Sequence, residues 1–191
     1  DLAINSNGIR LRSKCADQAI SQIQETAAQH PFSAVIATDD ATVPLAKDIS
    51  EKLGLPTNGS RALSASTDKA AFRVACLEQG LPCPAFFVVR PDQPADPCFE
   101  RVGFPCVAKP LSLSASRGVI RCDTPEELLS AVERIRKLVG KEKPRVGRQI
   151  LVEEYLPGDE YSVEALLHDG QLELLAIFEK PEPMTGPFFE E

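Results

Sequence analysis

Apolar positions recur every three or four residues between 15 and 28, where Ala16, Ala19, Ile20, Ile23 and Ala27 share one stripe and predict a helix. Ser33 to Ala37 is a near-continuous apolar run, the pattern of a short strand buried on both faces of a parallel sheet. A second helix is expected from about Thr42 to Leu53, with Val43, Ala46, Ile49 and Leu53 inward and Gly54 as its stop. Asp39 and Asp40 fall at the carboxyl end of the strand, where open α/β sheets bind ligands, although capping of the coming helix explains both more simply. Residues 56–66 read as a linker, with Asn58-Gly59-Ser60 as a turn.

Beyond the linker, Thr67 to Arg73 open a helix that Gly80 ends. Pro84 to Val89 form a strand, and Arg90 to Cys98 a Pro-rich loop. Val107 and Ala108 finish an apolar strand that stops at Lys109-Pro110, and a loop of small residues, Ser112 to Gly118, leads to a short strand from Val119 to Arg121. Thr124-Pro125-Glu126-Glu127 is a capping box with Pro at the first helical position, so a helix runs to Val139 and ends at Gly140. Leu128, Leu129, Val132, Ile135 and Leu138 form its inner face. Lys141 to Arg148 is a charged, solvated loop. A further apolar strand stops at Glu153-Glu154-Tyr155-Leu156, turns at Pro157-Gly158 and returns with period two. Tyr161, Val163, Ala165 and Leu167 then face one way, and Glu160, Ser162, Glu164 and Leu166 the other. His168-Asp169-Gly170 closes a hairpin onto Leu172 to Phe178.

Composition narrows the class. A chain of 191 residues holds one large or two small domains, and 43% apolar residues supply a core. The net charge of -7 argues against nucleic acid as a partner and gives no reason to expect an acidic membrane surface. No apolar run approaches a membrane span, and no signal sequence opens the chain. The six cysteines (15, 76, 83, 98, 106 and 122) are scattered without a C-x-x-C pair, and there are only two histidines. Neither a zinc site nor a disulfide framework is therefore expected, and the thiols read as reduced and cytoplasmic. The chain opens at Asp1 without a methionine and closes at Glu191 after an apolar, Pro-rich stretch, so further elements are expected at both ends.

The candidate chemistry centres on cations beside small residues. Lys109 stands at a strand end next to a hydroxyl-rich loop, which suits a polyphosphate: lysine acts as a point charge, and small residues let backbone N–H groups approach anionic oxygens. An ordinary hairpin with a solvated lysine is the plain alternative. Lys69 lies in the first turn of its helix, where the macrodipole disfavours a cation by roughly 0.3–1 kcal/mol. A phosphate recruited there would turn that cost into a helix-terminus anion site. Glu160 is suited to accept two hydrogen bonds from a ribose diol, although carboxylates along a strand are usually the wet face of an antiparallel sheet. No Walker-A, G-x-G-x-x-G or Ser-His-Asp pattern competes with this reading.

Lys69 opening a helix, Lys109 before a small-residue loop, and Glu153-Glu154-Tyr155-Leu156 followed by Gly158-Asp159-Glu160 come in an order and spacing that resembles the ATP-grasp superfamily. The helix ending Leu53-Gly54-Leu55-Pro56-Thr57-Asn58 resembles the pre-ATP-grasp domain of the same enzymes. Glu179-Lys180-Pro181 and Gly186-Pro187-Phe188-Phe189-Glu190-Glu191 resemble amino-acid ligases and related carboxylate–amine ligases. The resemblance implies an α/β fold, α+β in its second part: a partial Rossmann-like pre-ATP-grasp domain over 1–63 and an incomplete ATP-grasp domain over 64–191. It also implies roles. Lys69 and Lys109 would contact ATP phosphates, with the loop that includes Ser114, Ser116 and Gly118 folding over them. Val107 would pack on the adenine face, and Glu153, Glu154, Tyr155 and Leu156 would form the hinge at the adenine edge. Glu153 or Glu154 would take the amino proton through side chain or backbone, and Glu160 would bind the ribose hydroxyls.

The activity so implied is ATP-dependent carboxylate–amine ligation through an acyl phosphate, with Mg²⁺ and lysines offsetting the developing charge. The implied partners are a small-molecule carboxylate and an amine, neither nucleic acid nor membrane; the identity of acid and amine, and whether the protein is a homo-oligomer, stay open. Met184 to Glu190 would help to shape the carboxylate pocket. Leu113 and Ala115 stand where the family loop often has glycine, so a tighter and stiffer loop is expected. The family's magnesium ligands, a Glu and a later Glu-x-Asn, would follow the hairpin, and no residue here is matched to a metal. Two other readings share these motifs: a truncated, non-catalytic nucleotide-binding or interaction module, and a biotin-carboxylase-like or carbamoyl-phosphate-synthase-like ATP-grasp enzyme.

Overall fold

The computed structural model describes residues 16–95, 98–142, 148–180 and 186–188. Cys15, residues 143–147 of the charged loop, and Met184 with residues 189–191 lie outside the described residues. The chain divides into two units, Asp1–Thr67 and Asp68–Glu191.

In the first unit, α1 (Ala16–Gln29) packs on α2 (Val43–Leu53) through the expected stripes, burying Ala19, Ile20 and Ile49. Gly54 ends α2 in the left-handed region at φ 67°, where glycine escapes the Cβ clash of other residues. Three expectations are corrected. Ser33 to Ala37 is not a strand: it pairs with no described residue, and Ile36 is 83% exposed. An apolar run becomes a strand only when a neighbour completes its hydrogen-bond ladder. With no strand there, Asp39 marks no strand end, and its carboxylate instead accepts the Thr42 N–H at 3.1 Å in the turn before α2. The linker contains α3 (Ser60–Thr67), in which the hydroxyls of Ser66 and Thr67 bond back to the Leu63 carbonyl.

The second unit runs α4 (Lys69–Glu78), β1 (Phe86–Val89), α5 (Cys98–Val102), β2 (Cys106–Pro110), β3 (Ile120–Cys122), α6 (Pro125–Glu142), β4 (Ile150–Glu154), β5 (Tyr161–His168) and β6 (Gln171–Glu179). β1, β4, β2 and β3 form an antiparallel sheet in that order. Period two sends Cys106 and Ala108 of β2, Ile120 and Cys122 of β3, and Ile150 and Val152 of β4 into one core. Leu128, Ala131, Val132, Ile135 and Val139 of α6 close that core. Val107, Lys109 and Glu153 are left on the opposite face, with Val107 directly across from Glu153.

The helix α6 begins at Pro125 as read, but its box closes one residue early: Glu127 accepts from the Asp123 N–H at 2.7 Å, while the Thr124 hydroxyl accepts from Glu127 N–H at 3.3 Å. Gly140 does not stop it. A helical glycine costs about 1 kcal/mol, which a buried amphipathic face outweighs. Leu129 is 41% exposed rather than inward, because Ala131 and Val139 complete the stripe with Leu128. The short helix α5 had no counterpart in the sequence reading. β5 and β6 pair as a separate hairpin whose register skips Leu175, and apolar side chains on both strands are exposed. No helix among the described residues is long and apolar enough to cross a membrane.

Candidate functional site

Four elements of the second unit converge on one cleft of about 580 Å³. The first is the start of α4. Asp68 caps it, its carboxylate accepting the N–H groups of Ala70 at 2.7 Å and Ala71 at 2.9 Å. Those donors are consumed, so the helix-terminus anion site expected at Lys69 is not formed. The Lys69 ammonium instead reaches across the loop and donates to the Leu113 carbonyl at 2.8 Å.

That loop is the second element. Leu113 buries its side chain in the core, so it anchors the loop rather than obstructing it. Ala115 and Ser116 both adopt left-handed backbone, at φ 53° and 52°, which strains residues carrying a Cβ. Ser114 and Ser116 line the cleft, but Gly118 does not. Gly118 has φ 75°, and a Cβ there would lie 3.1 Å from Leu138 and 3.3 Å from Pro110, so glycine serves the turn and its packing.

The floor comes from β2 and β4. Glu153 is only 6% exposed, yet it is doubly paired: Arg73 Nε donates to Oε2 at 2.8 Å and Lys109 Nζ pairs with Oε1. Burial, the largest influence, pushes the Glu153 carboxyl up, but the Arg73 hydrogen bond and the Lys109 charge together hold it below the usual carboxylate range. Burial, the largest influence, works against the Arg73 charge, and the hydrogen bond to Glu153 and the Glu153 charge together more than offset it.

The far wall is the stretch after β4. The Glu154 N–H donates to the Ala85 carbonyl at 2.9 Å and the Tyr155 N–H to the Pro105 carbonyl at 3.2 Å, which fixes the backbone direction. The Arg121 guanidinium lies 4.4 Å from the centre of the Tyr155 ring and pairs with Asp123 at 2.9 Å. Leu156 is exposed at the lip. Glu160 accepts from Lys180 Nζ at 2.9 Å, while its carbonyl accepts the Lys180 N–H at 3.0 Å.

Lys69, Val107, Lys109, Ser114, Ser116, Glu153, Glu154, Tyr155, Leu156 and Glu160 thus line a single cleft. Arg73 and Arg117 also line it and were not anticipated. Arg73 follows Lys69 by four residues, one helical turn, which is the signal that would have found it. One end of the cleft gathers cations and hydroxyls, fit for an anionic polyphosphate; the other is lined by Glu154, Tyr155, Leu156 and Glu160. Among the described residues no group of three or more His, Cys, Asp or Glu is placed to hold a metal, and no residue here is matched to magnesium.

A family model described as an ATP-grasp domain matches residues 102–191. A D-alanine–D-alanine ligase from Actinobacillus pleuropneumoniae serotype 5b is 34% identical over 144 residues, 73% of this chain and 43% of that protein. The solved L-amino acid ligase from Bacillus licheniformis is similar with a TM-score of 0.77 at 27% identity, over 93% of this chain and 42% of that one. The chain carries an ATP-grasp domain. N5-carboxyaminoimidazole synthetase from Staphylococcus aureus shares the fold with a TM-score of 0.64 at 16% identity, over 87% of this chain and 41% of that one. This ATP-grasp chain therefore has a partial form of the fold and spans less than half the length of these relatives.

Proposed function

We propose that the cleft binds ATP and that this ATP-grasp protein joins a small-molecule carboxylate to an amine. The observation that carries the proposal is the gathering of Lys69, Lys109 and the Ser114–Ser116 hydroxyls at one end of a cleft whose other end is bounded by residues 154–156 and Glu160. The cationic end would receive the phosphates. Both oxygens of Glu153 are engaged by cations, so contact with the base edge falls to Glu154, Tyr155 and Leu156, and the role of Glu153 is to hold Lys109 in place. Val107 would lie against the base, and Glu160 would exchange part of its Lys180 contact for the ribose hydroxyls. ATP supplies the phosphoryl group that activates a carboxylate, while the chain contributes orientation and charge. The ligase reading is supported by relatives named as D-alanine–D-alanine and L-amino acid ligases. Magnesium belongs to the same proposal with no ligand assigned to it, and the setting proposed is the cytoplasm, where thiols stay reduced.

Calorimetric titration of the chain with ATP, with and without Mg²⁺, beside Lys109→Ala tests this reading. Saturable binding that the substitution weakens at least about tenfold is expected, since a charge-assisted bond to phosphate is lost. Equal affinity in both proteins removes Lys109 from the site. No binding by a folded chain overturns the proposal for this chain.

A further inference from the structure

Cys106 and Cys122 face each other in register across β2 and β3. Both are free thiols with no exposed surface, in the core on the side of the sheet opposite Val107 and Lys109. Directly opposed residues in an antiparallel pair have Cα atoms about 4.5 Å apart in one register and about 5.5 Å in the other. Either value falls within the roughly 4.4–6.8 Å that a disulfide bridges. The Cα register of the pair therefore suits a disulfide.

The two thiols are also unequal. A hydrogen bond from Cys122 holds the Cys106 thiol below its usual range against the opposing effect of burial, while the same contact and burial push Cys122 up. Of the two, Cys106 is the sulfur favoured as thiolate. Access comes from local opening: β3 is three residues long, and its outer edge is held by the Ile120–Phe188 bridge and the Arg121 N–H on the Pro187 carbonyl at 2.9 Å, so release of that short segment admits a small oxidant without global unfolding.

We propose that Cys106 and Cys122 form a modification site, closing to a cross-strand disulfide on two-electron oxidation by a peroxide. The Cys106 thiolate attacks one oxygen of hydrogen peroxide; the O–O bond breaks and the departing hydroxide takes a proton to become water, leaving a sulfenic acid. The Cys122 sulfur then attacks the Cys106 sulfur, the S–O bond breaks, and the released hydroxide leaves as a second water with the Cys122 proton. Two thiols lose two hydrogens, and one peroxide becomes two waters. The bond joins the strand entering the Ser112–Gly118 loop to the strand leaving it, so the loop becomes covalently closed at its base. This inference is independent of what the cleft binds.

The test is limited hydrogen peroxide treatment of the reduced chain, alkylation of remaining thiols, and non-reducing peptide mapping by mass spectrometry, with the same treatment in guanidinium as reference. The expected result is a peptide pair linked through Cys106 and Cys122, a loss of two alkylatable thiols, and reversal of both by dithiothreitol. In guanidinium the linkage should fall to the level of random pairing. Recovery of Cys106 and Cys122 unlinked, under peroxide sufficient to oxidise the half-buried Cys83, overturns the proposal. A mixture of pairs identical to that formed in guanidinium also overturns it.

Discussion

Glu153 is the residue on which the cleft turns, and its consequences can be measured without any ligand. Its carboxylate is buried and shared by Arg73 and Lys109, so removing the charge leaves two partly buried cations facing each other. Glu153→Gln keeps the volume and should cost about 3 kcal/mol at neutral pH, read as a shift in the urea midpoint. The pH dependence has a definite sign. A carboxyl held below its ordinary value of 4.5 contributes stability that is full above that value and is lost as pH falls through the lower, folded value. Thermal melts should therefore show acid destabilisation beginning near the ordinary carboxyl value, and Glu153→Gln should lack that component. A second residue-scale outcome concerns Ala115, held at φ 53° in the loop. Ala115→Gly should stabilise the chain by about 0.5–1 kcal/mol, because relief of left-handed strain outweighs the added entropy of the unfolded glycine. A loss of stability would show that the left-handed geometry is not maintained in solution.

At the scale of elements, α4 and α6 show how far local signals reach. Lys69 in the first turn was legible, but the residue before it settles how that turn works: Asp68 takes the N–H groups that an outside anion would have needed. Asp68→Ala should cost about 1 kcal/mol in chemical denaturation and Asp68→Asn much less, since Asn also caps. The start of α6 was readable from Thr124-Pro125-Glu126-Glu127, whereas its end was not, because Gly140 is outvoted by the apolar face that packs on the sheet. The loop between β2 and β3 was legible as a small-residue loop. That Leu113 is its anchor and Gly118 its packing point was not, because both functions depend on core atoms from other parts of the chain.

For the molecule as a whole, the second unit contains two sheets of very different standing. The β1-β4-β2-β3 sheet is backed by α6 and a dense core, while among the described residues β5 and β6 pair only with each other, with Val163, Leu167, Leu172 and Ile177 exposed. A two-stranded hairpin is marginal by itself, whereas strands joined to a packed core open only with much of the domain. Hydrogen exchange of the chain should therefore show amides of β5 and β6 exchanging at least about a hundredfold faster than those of β2 and β4. Equal protection would mean that the hairpin is buried in solution by something other than the described residues.

What the sequence by itself determined is local: the helix stripes of α1, α2 and α6, the glycine stop at Gly54, the hairpin turn at Asp169-Gly170, and the cations and hydroxyls whose order points to an ATP-grasp domain. The stripes and turns rest on side chains within a few positions of one another, where periodicity and backbone preference act directly, and the ATP-grasp resemblance on the order of short motifs from Lys69 to Glu160. Only the tertiary structure decided that Ser33 to Ala37 is not a strand, that Gly118 serves packing, and that Arg73 holds Glu153 from 80 positions away. A strand needs a neighbour to complete its ladder, and a buried carboxylate needs cations that only chain folding brings within reach.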